Sequence, residues 1–153
     1  MNDVRGWFEQ RIITEFPGAK ILEFWKGDRH LKHYASNKLQ GFAGASEWEF
    51  TPDYAVTFQI GSTRNIAFLN FTEKTLGLTE LGELHVYAKI AEPSVAIQAT
   101  VNGLSKDLYA LLLDKGIQQR LLGYAVHHKI LVGQWDKSTE SIPDDSFFPP
   151  KDF

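Results

Sequence analysis

The sequence of 153 residues contains no cysteine. The chain can therefore form neither a disulfide framework nor a thiolate zinc site, and this absence fits a protein of the reducing cytosol. No uninterrupted apolar run approaches the roughly 18 residues that a membrane-spanning helix needs. The first ten residues also lack the basic and apolar regions of a signal peptide. We therefore expect a cytoplasmic protein that does not enter a membrane.

Three common catalytic motifs are also missing. The sequence has no Gly-x-Ser-x-Gly elbow, no Gly-Lys-Ser/Thr phosphate loop and no Gly-x-Gly-x-x-Gly turn. Hydrolases, nucleotide triphosphatases and dinucleotide-binding enzymes that depend on these motifs are thereby excluded. The histidines do not replace them. His30 and His33 have no third ligand nearby, and His127 and His128 are neighbours that point to opposite faces of a strand.

Charge is unevenly distributed along the chain. The formal net charge is only −3, so the whole molecule is not an evident polyanion binder, although a small basic face is compatible with that sum. Basic residues outnumber acids in the first quarter, where they alternate with aromatic residues and glycines: Lys20, Lys26, Arg29, Lys32 and Lys38. This mixture suits contact with a nucleic-acid backbone or with stacked bases, and the same aromatic residues also suit a core.

Length and composition predict one folded domain, because 43% of the residues are apolar and a domain typically has roughly 100 to 200 residues. We place this domain at residues 1–136. Residues 137–153 combine three prolines with acids and the pair Phe147–Phe148. They predict an acidic, Pro/Phe-rich C-terminal tail outside the core, which is available to a protein partner.

Periodicity along the first half predicts a helix followed by strands. Apolar residues recur at helical spacing before Pro17–Gly18, which ends the helix: Val4, Trp7, Phe8, Ile12 and Phe16. The stretch AKILEFW alternates and favours a strand. Two later stretches, EWEFTPDYAVTFQI and NIAFLNFTE, are rich in aromatic and β-branched residues. The four residues GSTR between them predict an antiparallel hairpin.

The second half predicts a crossover helix and buried strands. Helical spacing returns over Leu78–Ala91, with Thr79 as a candidate cap and Pro93 beyond the end. SVAIQATV is short and apolar, as expected of a strand that is buried on both faces. A helix that is capped by Ser105, runs through Leu113 and is closed by Gly116 then leads to a last strand, KILVGQWD. This order predicts an α/β fold in which a helix joins parallel strands.

Three stretches together resemble the core of the PD-(D/E)xK nucleases, especially archaeal resolvase-like and exonuclease-like members: TPDYAVTFQI, NIAFLNFTEKT and GELHVYAKIAEPSVAIQAT. The resemblance implies a restriction-endonuclease-like mixed central sheet flanked by helices. It also implies magnesium-dependent hydrolysis of phosphodiester bonds in DNA. Resolvase-like relatives are dimers, so a homodimer is expected by analogy.

The family places an acid after a proline on one strand, and an acid and a lysine two residues apart on the next. Residues two apart share a face of the sheet, so these side chains converge. The carboxylates hold a divalent ion that polarises the phosphate and generates hydroxide, while the lysine stabilises the growing charge. Pro52–Asp53 matches the first element.

The second element departs from the family pattern, because Asn70 and Thr72 stand where the acid and the lysine belong. Asparagine offers only a neutral oxygen, and threonine supplies no cation. Glu73 and Lys74 follow directly, and a bulge at the strand end would turn them toward Asp53. The candidate catalytic residues are therefore Asp53, Asn70, Glu73 and Lys74, with Asp53 and Glu73 as magnesium ligands. The alternative is a catalytically inactive relative that serves as a DNA-binding or protein-interaction subunit.

Other residues enter through the same resemblance. Glu83 and Tyr87 resemble a Gln-x-x-x-Tyr element of exonuclease-like members, although Tyr87 also fits core packing. Glu9 resembles the family's helical acid and also fits a solvated position. The resemblance and the basic first quarter together predict contacts with the DNA backbone through Lys26, Arg29, Lys32 and Lys38.

Overall fold

A computed structural model of the chain describes residues 4–27 and 52–148. Three of the predicted DNA-contacting residues, Arg29, Lys32 and Lys38, lie outside these ranges, as do His30 and His33. In chain order the helices and strands are α1 (Val4–Glu15), β1 (Lys20–Lys26), β2 (Tyr54–Ile60), β3 (Thr63–Thr72), α2 (Leu78–Ala91), β4 (Val95–Thr100), α3 (Lys106–Leu113), α4 (Lys115–Leu122), β5 (Gly123–Ala125), β6 (His128–Lys129) and β7 (Leu131–Gln134).

The centre of the fold is a mixed five-stranded sheet in the order β1-β2-β3-β4-β7. Strands β1, β2 and β3 are antiparallel neighbours, whereas β4 pairs in parallel with both β3 and β7. Helix α2 supplies the crossover that parallel pairing of β3 with β4 requires. The predicted α/β class, with a mixed central sheet flanked by helices, is therefore confirmed. Within the described ranges, no helix has the length and apolar character to cross a membrane.

Helix α1 packs on one face of the sheet. Val4, Phe8 and Ile12 recur every four residues, and each has no exposed surface. They join a cluster with Val56 and Phe58 of β2. The apolar stripe that the sequence predicts is therefore the surface through which α1 packs on the sheet.

Helices α2, α3 and α4 cover the other face, where Leu81 and Leu84 of α2 share a cluster with Ile66 and Phe68 of β3. Strand β4 is buried at all six positions because helices cover it on both sides. The helix predicted to begin at a Ser105 cap is confirmed, since the Ser105 hydroxyl accepts the Leu108 amide at 3.1 Å.

Two details of the second half differ from the sequence-based predictions. The predicted Thr79 cap is wrong: α2 begins at Leu78, and the Glu80 carboxylate accepts the Gly77 amide at 3.1 Å. Gly116 does not end the helical region either. The Asp114 side chain accepts the Ile117 amide at 3.0 Å and starts α4, which leads into the unpredicted β5–β6 hairpin.

The segment after β7 folds back onto the α1 face, although residues 137–153 were expected outside the core. Ile142 and Phe147 are 3% and 4% exposed and join the α1 cluster. Gly133 makes this packing possible, because a Cβ there would lie 2.5 Å from the Ile142 Cγ2 atom. Prolines and acids surround these apolar residues in the sequence, so the composition of the segment does not predict their burial.

Candidate functional site

Polar side chains gather at the edge of the sheet where the parallel strands β3 and β4 end, on the face that α2 covers. Alternation along the strands places them there, because their immediate neighbours pack on the α1 face: Tyr54, Leu69, Phe71, Ile97 and Ala99. We call this group the polar cluster, and it consists of Asp53, Asn70, Thr72 and Gln98.

Asp53 and Asn70 each bond to the backbone of the opposite strand. The Asp53 amide donates to Asn70 Oδ1 at 2.9 Å, and the Phe71 amide donates to Asp53 Oδ2 at 2.7 Å. The ladder explains this geometry, because Tyr54 pairs with Leu69 and the next step sets Asp53 opposite Asn70. The two side chains therefore extend the pairing of β2 with β3 beyond its last ladder pair.

The backbone of Gly27, at the end of β1, contacts Asp53 from the side opposite β3. The Gly27 amide donates to the Asp53 carbonyl at 2.7 Å, and a Cβ at Gly27 would lie 2.7 Å from the Pro52 carbonyl oxygen. Only a residue without a side chain allows the end of β1 to come so close. Asp53 is therefore held by backbone contacts from both neighbouring strands.

Gln98 and Thr72 form the inner part of the polar cluster. Gln98 is 1% exposed, and its Nε2 donates to Thr72 Oγ1 at 2.9 Å. Its Oε1 has no hydrogen-bond partner in the described part of the chain, which is uncommon for a buried polar atom. Sequence analysis did not single out Gln98; the available signal was a glutamine in the middle of an otherwise apolar strand.

Glu83 of α2 supplies the negative charge that acts on Asp53. Although Asp53 keeps solvent contact, partial burial raises the pKa of its carboxyl, the Phe71 amide lowers it, and negative charge on Glu83 raises it again. The Tyr87 hydroxyl donates to Glu83 at 2.5 Å. Burial, this bond and the charges of Glu83 and Asp53 all raise the Tyr87 pKa. Glu83 and Tyr87 therefore lie within electrostatic reach of Asp53.

The remaining predicted site residues are Glu73, Lys74 and Glu9. Glu73 and Lys74 follow the end of β3, and both are exposed. Strand β3 pairs with β4 through Thr72 without a register shift, so the strand itself contains no bulge that redirects them. Glu9 lies on α1, on the other side of the sheet, and pairs with Arg5 at 3.0 Å. The structure thus brings Asp53 and Asn70 together and leaves Glu73 and Lys74 at the surface.

A magnesium ion needs several oxygen ligands in near-octahedral geometry, commonly one or two carboxylates with water and phosphate oxygens. Residues 4–27 and 52–148 contain no group of three or more acidic or histidine side chains placed to share a metal. Asp53 Oδ2, Asn70 Oδ1 and a Glu83 oxygen already accept hydrogen bonds. Magnesium as a cofactor and the Asp53–Glu73 ligand pair therefore stay predictions.

The raised pKa of Asp53 predicts a pH dependence of stability. The folded protein holds the Asp53 proton more tightly than the unfolded chain, so this contribution is full below the unfolded pKa of about 3.8 and is lost as pH rises through the folded pKa. Asp53→Asn keeps an acceptor for the Phe71 amide and cannot ionise. Its free energy of unfolding relative to the native protein should therefore increase from pH 3.5 to pH 7, by less than about 1 kcal/mol because solvent screens the charge.

Urea unfolding at pH 3.5, 5 and 7 measures this difference. Asp145→Asn is the matched control, because it removes an exposed carboxyl from the segment after β7. A free energy of unfolding of Asp53→Asn that falls relative to that of the native protein as pH rises would contradict the assigned direction of the pKa shift.

Comparisons with known proteins identify no relative of this chain. No family model, no curated protein and no solved structure matches the chain. The resemblance to PD-(D/E)xK nucleases therefore depends on the residues of this sequence.

Proposed function

We propose that this chain is a catalytically inactive protein of nuclease-like fold that binds DNA at the edge of the sheet carrying the polar cluster. The observation that supports this proposal most strongly is the reciprocal bonding of Asp53 and Asn70. Side chains at positions where the nuclease pattern needs metal ligands hold two strands together instead.

Phosphodiester hydrolysis in the expected manner needs charge that this cluster lacks. Asn70 contributes a neutral amide where a carboxylate is needed. Thr72 contributes a hydroxyl that accepts from Gln98, where an ammonium group would stabilise the transition state. The cluster is therefore suited to hydrogen bonding more than to metal-assisted chemistry.

Two lysines support DNA contact at this edge. Lys26 ends β1 beside Tyr54, and Lys74 follows β3; both are exposed. Neither has an ion-pair partner among the residues that the structure describes, so both ammonium groups are available to phosphate. Lysine contacts to phosphate are independent of sequence and weaken as salt increases.

Metal-dependent hydrolysis of DNA is the second candidate. The negative charge of Glu83 acts on Asp53, so two carboxylates are present near one another. The unpartnered Oε1 of Gln98 is a further oxygen on the same face.

Binding and cleavage are separable in one set of assays on labelled branched, duplex and single-stranded DNA. Fluorescence anisotropy should show binding that weakens with salt, and the DNA should stay intact in magnesium or manganese. Lys26→Glu and Lys74→Glu should each weaken binding and reduce the slope of log affinity against log salt by about 1. Lys89→Glu, in the last turn of α2 at the opposite end of the sheet, should leave affinity unchanged.

Two results would contradict the proposal. Cleavage that requires a divalent ion and disappears in Asp53→Ala would establish the second candidate. Absence of binding to all three DNA forms at low salt would remove the assignment to DNA.

A further inference from the structure

A cavity of about 540 Å³ lies at the opposite edge of the sheet, where β4 and β7 begin. Its apolar wall is formed by Phe16, Val95, Leu131 and Phe147. This volume lies within the roughly 300–1,000 Å³ typical of sites for small organic ligands. The cavity is separate from the polar cluster, which lies where β4 ends.

A second wall of the cavity is basic. The β5–β6 hairpin contributes His127, His128 and Lys129. His127 has a φ of 66° in the turn between the two strands, and His128 stacks on Tyr124 with ring centroids 5.9 Å apart. Lys129 has no ion-pair partner within the part of the chain that is described.

Arg11 of α1 adds a buried cation to the lining. Its side chain is 10% exposed and bonds to Asp144 at 2.7 Å and to Glu15 at 2.9 Å, and the guanidinium lies 4.8 Å from the centre of the Phe147 ring. Its Nε is buried without an acceptor among the described residues. The Asp144 side chain is 69% exposed, so water and other anions compete readily for its bond to Arg11.

These observations specify the chemistry of a ligand. Arg11 and Lys129 are balanced by Glu15 and Asp144, and the two histidines add further donors. An acid that displaces Asp144 would bind Arg11 in a lining that also contains Lys129, while its apolar body would cover the aromatic and aliphatic wall. We propose that this cavity binds a small organic acid with one carboxylate or sulfonate group on an aromatic or aliphatic body. The proposal is independent of DNA binding at the other edge.

Two dyes of nearly the same shape test the proposal. The dye 8-anilinonaphthalene-1-sulfonate carries the anionic group, and N-phenyl-1-naphthylamine has the same apolar body without it. Fluorescence titration of the full chain should show one sulfonate dye per chain, bound about tenfold more tightly than the neutral dye. Equal affinity for the two dyes, or no binding of either, would overturn the proposal.

Variants locate the binding site. Ala125→Trp places a large ring in the cavity wall and should weaken sulfonate-dye binding about tenfold or more, whereas Val126→Trp, at the adjacent residue that is 79% exposed, should not. Lys129→Glu should weaken binding of the sulfonate dye and leave the neutral dye unaffected. Lys129 is half-buried and is not a member of either apolar cluster, so this variant tests the site even if Ala125→Trp fails to fold. Circular dichroism reports the folding of both variants. Unchanged sulfonate-dye affinity in Lys129→Glu would contradict the assigned site.

Discussion

Replacing Asn70 by Asp is expected to make the free energy of unfolding depend on magnesium, whereas that of the native protein should not. The new carboxylate would lie beside Asp53, on which the charge of Glu83 already acts. Without metal, like charges this close should destabilise the fold by about 1 to 3 kcal/mol. With metal, three carboxylates provide a ligand set, and magnesium at 100 times its Kd would then stabilise the variant by about 2.7 kcal/mol.

Urea unfolding in magnesium and in chelator measures both effects. Asn65→Asp is the matched control, because it makes the same substitution in β3 at the other end of the strand, where Asn65 accepts from Ser94. A magnesium response in Asn65→Asp as large as that in Asn70→Asp would show a general ion effect. Absence of any response in Asn70→Asp would mean that Asp53 and Glu83 are not arranged to share a metal.

Phe8→Ala should strongly decrease the free energy of unfolding. Phe8 has no exposed surface and packs between α1 and the sheet. Truncating such a side chain removes apolar burial and leaves a cavity, at a cost of about 3 to 5 kcal/mol. The result is measured as the change in the urea unfolding midpoint at constant slope.

Ile13→Ala is the control for this helix. Ile13 is 40% exposed on the outer side of α1, so its truncation should change stability by less than about 0.5 kcal/mol. Similar losses for Phe8→Ala and Ile13→Ala would contradict the packing of α1 through the Val4, Phe8 and Ile12 stripe.

The elements that the sequence predicted are those with a strong apolar pattern. The stripe of α1, the hairpin around GSTR and the apolar run of β4 each match one period of regular structure. The pattern failed where Asp114 stops one helix and begins the next, because a residue that ends α3 also caps α4. The short β5–β6 hairpin has too few residues for alternation to be read.

The candidate site was predictable only in part. The proline before an acid pointed to Asp53, and the flanking apolar residues aligned Asn70 with the position of the family's second acid. The bond between them depends on strand register, which the sequence pattern alone does not fix. Glu83 acts on Asp53 from α2, and Gln98 bonds to Thr72 from β4, and local spacing does not predict such tertiary interactions.

Several predictions from the sequence stay predictions. They include the resemblance to PD-(D/E)xK nucleases, DNA and magnesium as ligands, the homodimer, the cytoplasmic location, and a protein partner for residues 137–153. Burial of Ile142 and Phe147 restricts the last of these, because a partner that leaves the core intact has to use other side chains of this segment.

We propose that Asp53 and Asn70 serve strand pairing instead of metal binding. Titration of the isotopically labelled native protein with Mn²⁺ tests it directly, because a bound paramagnetic ion broadens nearby amide signals. We expect the amide signals of Asp53 and Phe71 to broaden no more than those of other exposed acidic regions. Selective, saturable broadening of these two signals that Asp53→Ala abolishes would contradict the account.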